Sequence, residues 1–164
     1  MRLFVAVWPS AEVVEGLQDL VRPEVDGVRW TTADQWHVTA RFLGRLDGPG
    51  EVSARLRSVP LPAAAATIGP ASESRTPGVL WLPVAGLDAL AAEVIRLTAD
   101  LGEPVDHAFQ GHLTLARSRR STPRGALGGR GDHGRRQHSR GRRFPLRGGG
   151  PDPVGCLISN VRSI

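Results

Sequence analysis

The segment QWHVTARFLG, residues 35–44, places a histidine and a threonine two positions apart in a run that is otherwise typical of a β-strand. The same spacing returns about seventy-five positions later in GHLTLAR, residues 111–117. Because residues i and i+2 of a strand face the same side of a sheet, His37 and Thr39 share one face, while Val38 faces a core.

The second motif repeats this arrangement with His112 and Thr114 on one face and Leu113 on the other. One His-x-Thr alone is common by chance, and its histidine is usually structural. Two copies, both in apolar strands, predict a cleft lined by two imidazoles and two hydroxyls.

Such a cleft suits phosphodiester cleavage without a metal. One neutral imidazole takes a proton from the attacking oxygen, and the other, protonated, gives one to the leaving oxygen. Threonine hydroxyls hold the phosphate oxygens, and an arginine offsets their charge. In a regular strand Arg41 shares the face of His37, whereas Arg117 lies on the face opposite to His112 or at the end of the strand.

The surrounding pattern alternates short apolar strands with amphipathic helices, which predicts an α+β class. Each half has one helix near a His-x-Thr strand, so the two halves resemble a duplicated unit. The predicted strands cover residues 2–7, 28–30, 36–44, 78–86 and 107–117, with a weak one over 63–71, and the predicted helices cover 11–21, 51–59 and 87–102.

The composition fits one ordinary domain or two small lobes, with 164 residues and 40% hydrophobic content. No apolar run reaches the roughly 18 residues of a membrane span. The opening MRLFVAVWPS is too short in its apolar part for a signal peptide and predicts a strand. Cys156 is the only cysteine, so we expect a cytoplasmic protein without disulfides.

The charge is divided unevenly along the chain. Residues 1–116 have nine Arg and fourteen Asp and Glu, a net charge of −5, while residues 117–164 have twelve Arg and two Asp, a net charge of +10. From residue 121 the sequence is dominated by Arg, Gly and Pro and has no hydrophobic period, a composition typical of disorder.

The paired motifs resemble the signatures of the 2H phosphoesterase superfamily, and within it the LigT-like RNA 2′,3′-cyclic phosphodiesterases, once called 2′-5′ RNA ligases. Residues 35–44 match the first signature closely. Residues 109–117 match the second, except that Gly111 stands where proline is usual, which we expect to loosen the start of the strand. The resemblance covers residues 1–120 in order and spacing.

The resemblance implies a bilobal, duplicated α+β fold, with two antiparallel sheets flanking a central cleft and helices on the outside. It also implies His37 and His112 as catalytic residues, and Thr39 and Thr114 as phosphate-binding residues. Arg117 is the further phosphate-binding candidate.

The family reaction opens a 2′,3′-cyclic phosphate at an RNA 3′ end to a 2′-phosphomonoester, and some members join RNA ends through 2′-5′ linkages. We therefore expect a hydrolase that needs no metal or cofactor, acting as a monomer on RNA ends or cyclic nucleotides, away from membranes. The sequence does not decide the acid and the base; our working assignment is His37 as acid and His112 as base. Phe42 stacks under the nucleobase or belongs to the core.

The tail, residues 121–164, departs from the family, whose members continue with a helix and two strands. One hypothesis is a frameshift near codons 118–125, which leaves the second lobe incomplete and is tested by translating the other two frames. The other is a basic arm that grips the RNA backbone. The alternative function is accordingly a non-catalytic, basic RNA-binding protein with a vestigial cleft.

Overall fold

The computed structural model describes residues 1–69, 71–76 and 78–118, and the predicted tail lies outside these ranges. Its helices and strands follow the predicted order, with one additional strand. In chain order they are β1 (Arg2–Val7), α1 (Ala11–Gln18), β2 (Val28–Trp30), β3 (Val38–Arg45), α2 (Gly50–Arg57), β4 (Thr67–Ile68), β5 (Glu73–Thr76), β6 (Val79–Ala85), α3 (Asp88–Leu97) and β7 (His112–Ser118).

The described strands form one antiparallel sheet in the order β1-β3-β7-β6-β4, with β2 beside β7 and β5 beside β6. The family resemblance implied two separate antiparallel sheets, whereas the described strands form a single sheet. The strands that carry the two motifs, β3 and β7, pair with each other at Val38 and Leu113. Backbone pairing at this point joins the two halves of the sheet, while the internal duplication stays a prediction.

The hydrophobic core lies on one face of this sheet, under the three described α-helices. Alternate strand residues such as Val5, Leu82 and Leu113 point into it, and they meet Val13 of α1 and Val94 of α3. The opposite face is therefore left for the polar and aromatic residues of the strands, including both histidines.

Helix α3 ends at Leu97, earlier than the predicted residue 102. The Thr98 hydroxyl donates to the Val94 carbonyl at 2.6 Å, and the chain turns at Gly102, which has a φ of +65°. Arg41 then donates to the Ile95 carbonyl at 3.1 Å, which belongs to the last helical turn. The Arg41 side chain thus supplies a donor to a carbonyl of the last helical turn, where intrahelical donors are missing.

Strand β5 was not predicted, because the sequence ESRT has no apolar alternation. It is held by pairing with β6 across a turn at Gly78, whose φ is +78°. Within the ranges that the structure describes, no helix has the length and apolar character needed to cross a bilayer.

Candidate active site

The two His-x-Thr motifs lie side by side where β3 meets β7. The strands are antiparallel, and the residue pair between them joins the central residues of the two motifs. Counting outward from that pair sets His37 across from Thr114 and Thr39 across from His112. All four side chains share the face opposite the core and are partly buried. The structure thus brings together both predicted imidazole–hydroxyl couples.

Each motif is followed by a β-bulge at the same offset. In β3 the register against β1 skips Ala40, and in β7 the register against β6 skips Leu115. A bulge adds one residue to one strand, so the side chains beyond it exchange faces. The fifth residue after each histidine, Phe42 or Arg117, consequently returns to the histidine face and is exposed.

These bulges reverse the expected positions of two arginines. Arg41 was expected beside His37, but it is 4% exposed and points away from the cleft. It donates to the carbonyls of Leu101 at 2.9 Å and Glu103 at 3.2 Å. Arg117, expected on the opposite face or at the strand end, lies on the same face as His112.

His37 lies between two aromatic side chains of the first strand and the loop after it. Its ring stacks on Phe4 with a centroid distance of 5.0 Å, and Trp8 is 5.9 Å away. Burial lowers the pKa of His37 below the ordinary 6.5, against a hydrogen bond to the Gln35 backbone that raises it. The positive charges of Arg117 and His112 lower this pKa further.

His112 has a similar environment on the other strand. Its ring centroid lies 4.0 Å from that of Trp81, and its Nδ1 is 2.8 Å from the Gln110 carbonyl. Because a carbonyl only accepts, Nδ1 carries the hydrogen, and the lone pair of the neutral ring is on Nε2. Burial lowers the pKa of His112, and the charge of Arg117 lowers it further.

Phe42 belongs to the surface, so the alternative that placed it in the core is wrong. It is 41% exposed, and the Arg2 guanidinium lies 5.4 Å from its ring centroid. Phe42 pairs across the strands with Phe4, which in turn contacts His37. Phe4 and the exposed Phe42 therefore continue from His37 across the surface of the sheet.

A tryptophan in an apolar strand is by default assigned to core packing, so sequence reasoning misses the aromatic walls of the site. That assignment holds for Trp36, which is 1% exposed. Trp8 and Trp81 instead contact the two histidines. The available signal was the spacing of Phe4 in β1 and Trp8 directly after it, which lie four positions apart with the core residues Val5 and Val7 between them.

Gly111 does not loosen the start of β7. Its carbonyl accepts a 2.8 Å hydrogen bond from Val84 N, and a Cβ on it would lie 2.1 Å from the Val84 carbonyl oxygen. The backbones approach so closely that a side chain has no room, and this contact fixes the residue directly before His112.

The remaining titratable groups do not form a second centre in the part of the chain that the structure covers. No group of three or more His, Cys, Asp and Glu side chains there could hold a metal ion. His107 is exposed, and its Nδ1 contacts the carboxylate of its neighbour Asp106.

Two solved structures resemble this chain over most of its length. The crystal structure of TT0787 of Thermus thermophilus has 32% sequence identity and a TM-score of 0.59, covering 76% of this chain and 78% of its own. The apo crystal structure of Escherichia coli LigT has 27% identity and a TM-score of 0.57, covering 71% of this chain and 72% of its own. No protein-family model matches the sequence, and no curated protein matches it either.

The open antiparallel sheet, with helices on one face and the two histidines on the other, defines an α+β fold similar to that of LigT. The chain belongs to the 2H phosphoesterase superfamily.

Proposed function

We propose that this protein is a metal-independent RNA 2′,3′-cyclic phosphodiesterase that opens cyclic phosphate ends to 2′-phosphomonoesters. The observation that carries the proposal is the pairing of β3 with β7 at Val38 and Leu113, which brings His37 and His112 to one face. Arg117 lies near enough for its charge to act on both imidazoles.

In the proposed reaction, the neutral imidazole of His112 takes a proton from water through Nε2, and the water oxygen bonds to phosphorus. The bond from phosphorus to the 3′ oxygen breaks, and protonated His37 gives its proton to that oxygen. The phosphate stays on the 2′ oxygen. The hydrogen bond from Nδ1 to the Gln110 carbonyl supports the first step, because it holds the ring with Nε2 free.

The phosphate is proposed to lie between the two threonine hydroxyls and the guanidinium of Arg117. A guanidinium offers paired donors to phosphate oxygens and retains its charge at every working pH. Without substrate both histidines have lowered pKa values, so neutral imidazoles are favoured. The anionic substrate favours protonation of one of them, which prepares the acid.

The test is hydrolysis of 2′,3′-cyclic AMP in the presence of EDTA, with the product identified as 2′-AMP. We expect His37→Ala and His112→Ala each to lose at least about 100-fold in kcat/KM, the usual contribution of a general acid or base. His107→Ala is the matched control, because His107 is an exposed histidine paired with Asp106, and it should keep full turnover.

Unchanged turnover in both cleft variants would exclude the proposed mechanism. A wild-type protein that binds RNA but releases no 2′-phosphate would instead favour the non-catalytic RNA-binding alternative. A short RNA ending in a 2′,3′-cyclic phosphate serves as the second substrate, because it also reveals whether the ends are joined.

A further inference from the structure

One edge of β7 is shared by two strands, and the gap between them lies beside the β7 bulge. β2 pairs with β7 as far as Trp30 and Ala116, whereas β3 pairs with it at Val38 and Leu113. A bulge interrupts the regular ladder, so backbone groups in this gap need other partners.

Thr31 fills that gap with three contacts to the bulge. Its backbone N–H donates to the Leu115 carbonyl at 2.8 Å. Its hydroxyl lies 2.8 Å from the carbonyls of both Thr114 and Leu115, so its single hydrogen is shared between them. Successive carbonyls of a regular strand point to opposite edges, so one hydroxyl reaches both only because the strand bulges here.

The hydroxyl of Thr31 is itself held by the first motif. The indole N–H of Trp36 donates to it at 3.0 Å, and both residues are buried, with exposures of 1% for Trp36 and 7% for Thr31. Trp36 directly precedes His37 in the sequence. One buried oxygen therefore connects the residue before the first histidine to the backbone after the second.

We propose that Thr31 is a positioning residue, whose hydroxyl fixes the β7 bulge that turns Arg117 to the face of the two imidazoles. Its effect on turnover rests on the function proposed above, whereas its effect on Arg117 does not. In a β7 strand without the bulge, Arg117 shares the face of Leu113 and Leu115, which is the core face.

The direct test is an NMR titration of the two imidazoles in the full-length protein with Thr31→Val, which replaces only the hydroxyl by a methyl group. The charged groups acting on His37 are Arg117 and His112, and the charged group acting on His112 is Arg117. The neighbouring rings of Phe4, Trp8 and Trp81 carry no charge.

We expect the pKa values of both imidazoles to rise in Thr31→Val, because Arg117 moves away. Arg117→Met should raise both in the same way. The double variant should show no further rise, because two changes that act through the same contact are not additive.

The matched control is Thr98→Val. Thr98 is fully buried and donates its hydroxyl to the Val94 carbonyl in α3, away from the cleft. It should lose thermal stability while keeping the imidazole pKa values and the turnover of the wild type.

For 2′,3′-cyclic AMP we expect kcat/KM of Thr31→Val to fall on the order of 10- to 100-fold, the usual effect of a small displacement of a group in the site. Thr31→Ser keeps the hydroxyl and should stay within about threefold of the wild type.

The proposal is overturned if Thr31→Val keeps the imidazole pKa values of the wild type and loses stability as Thr98→Val does. Should Thr31→Val fail to fold, Trp36→Phe replaces it, because that change keeps a buried aromatic ring and removes the indole N–H that donates to the Thr31 hydroxyl. Unshifted pKa values in a folded Trp36→Phe would then count against the proposal. A wild-type protein without turnover refutes the proposed function, yet the titration still decides the role of Thr31.

Discussion

Replacing Gly111 by alanine tests whether the close contact between β6 and the start of β7 holds the second histidine in place. A Cβ at this position would lie 2.1 Å from the Val84 carbonyl oxygen, whereas ordinary contacts begin at 3.4 Å. The two backbones must therefore separate by about 1.3 Å. The hydrogen bond from Val84 N to the Gly111 carbonyl is then weakened as well.

Overpacking of this kind costs about 1–3 kcal/mol, and the loss of a hydrogen bond costs about 1 kcal/mol. We expect the free energy of unfolding of Gly111→Ala to fall by about 2–4 kcal/mol. With an ordinary dependence on urea, the midpoint of unfolding falls by about 1–2 M. His112 moves with its neighbour, so kcat/KM for a cyclic nucleotide should fall on the order of 100-fold.

The matched control is Gly16→Ala in α1, where the added Cβ meets nothing within 4 Å. Alanine in a helix is more stable than glycine by about 0.5–1 kcal/mol, so this variant should unfold at higher urea and keep full activity. A Gly111→Ala protein that unfolds at the wild-type urea concentration and turns over normally would show that the two backbones are not held this closely.

Three further predictions concern the site and its support. The proposed mechanism needs one neutral and one protonated imidazole, and His37 and His112 both have lowered pKa values, so the optimum of kcat/KM should lie below pH 6.5. Arg117→Met should move this optimum upward, and a wild-type optimum above pH 6.5 would contradict the prediction. Phe42→Ala should raise KM about 5- to 150-fold for a nucleoside cyclic phosphate, the value of one stacked base, and leave KM for glycerol 1,2-cyclic phosphate unchanged; equal effects on both would refute stacking. Arg41→Met leaves three carbonyls without their donor, so urea unfolding should show a loss of about 3–5 kcal/mol, and a loss under about 1 kcal/mol would refute its role.

The sequence predicted those parts of the fold that depend on local periodicity. Strand β1 was predicted at its observed bounds, and α1 begins after Ser10, whose side chain accepts from Val13 N as an N-cap. The shared face of His37 and Thr39 also follows from a period of two, which needs no knowledge of the partner strand.

The positions beyond each motif could not be predicted, because a bulge is a property of two paired strands. Nothing in the letters between His112 and Arg117 marks Leu115 as the additional residue, and the pairing with β6 reveals it. The expectation of strict alternation therefore placed Arg41 on the face of the cleft and Arg117 away from it, which is the reverse of the observed arrangement. The role of Thr31 was hidden for the same reason, since its partners are eighty-three and eighty-four positions away.

The three described helices cover the same side of the sheet, and this has a consequence for how the protein can diversify. Within a strand such as β1, Leu3 and Val5 pack into the interior, while Arg2 and Phe4 contact aromatic rings on the open side. Side chains on the open side can therefore change without repacking the core, so proteins that share this architecture can differ in what their open side contacts.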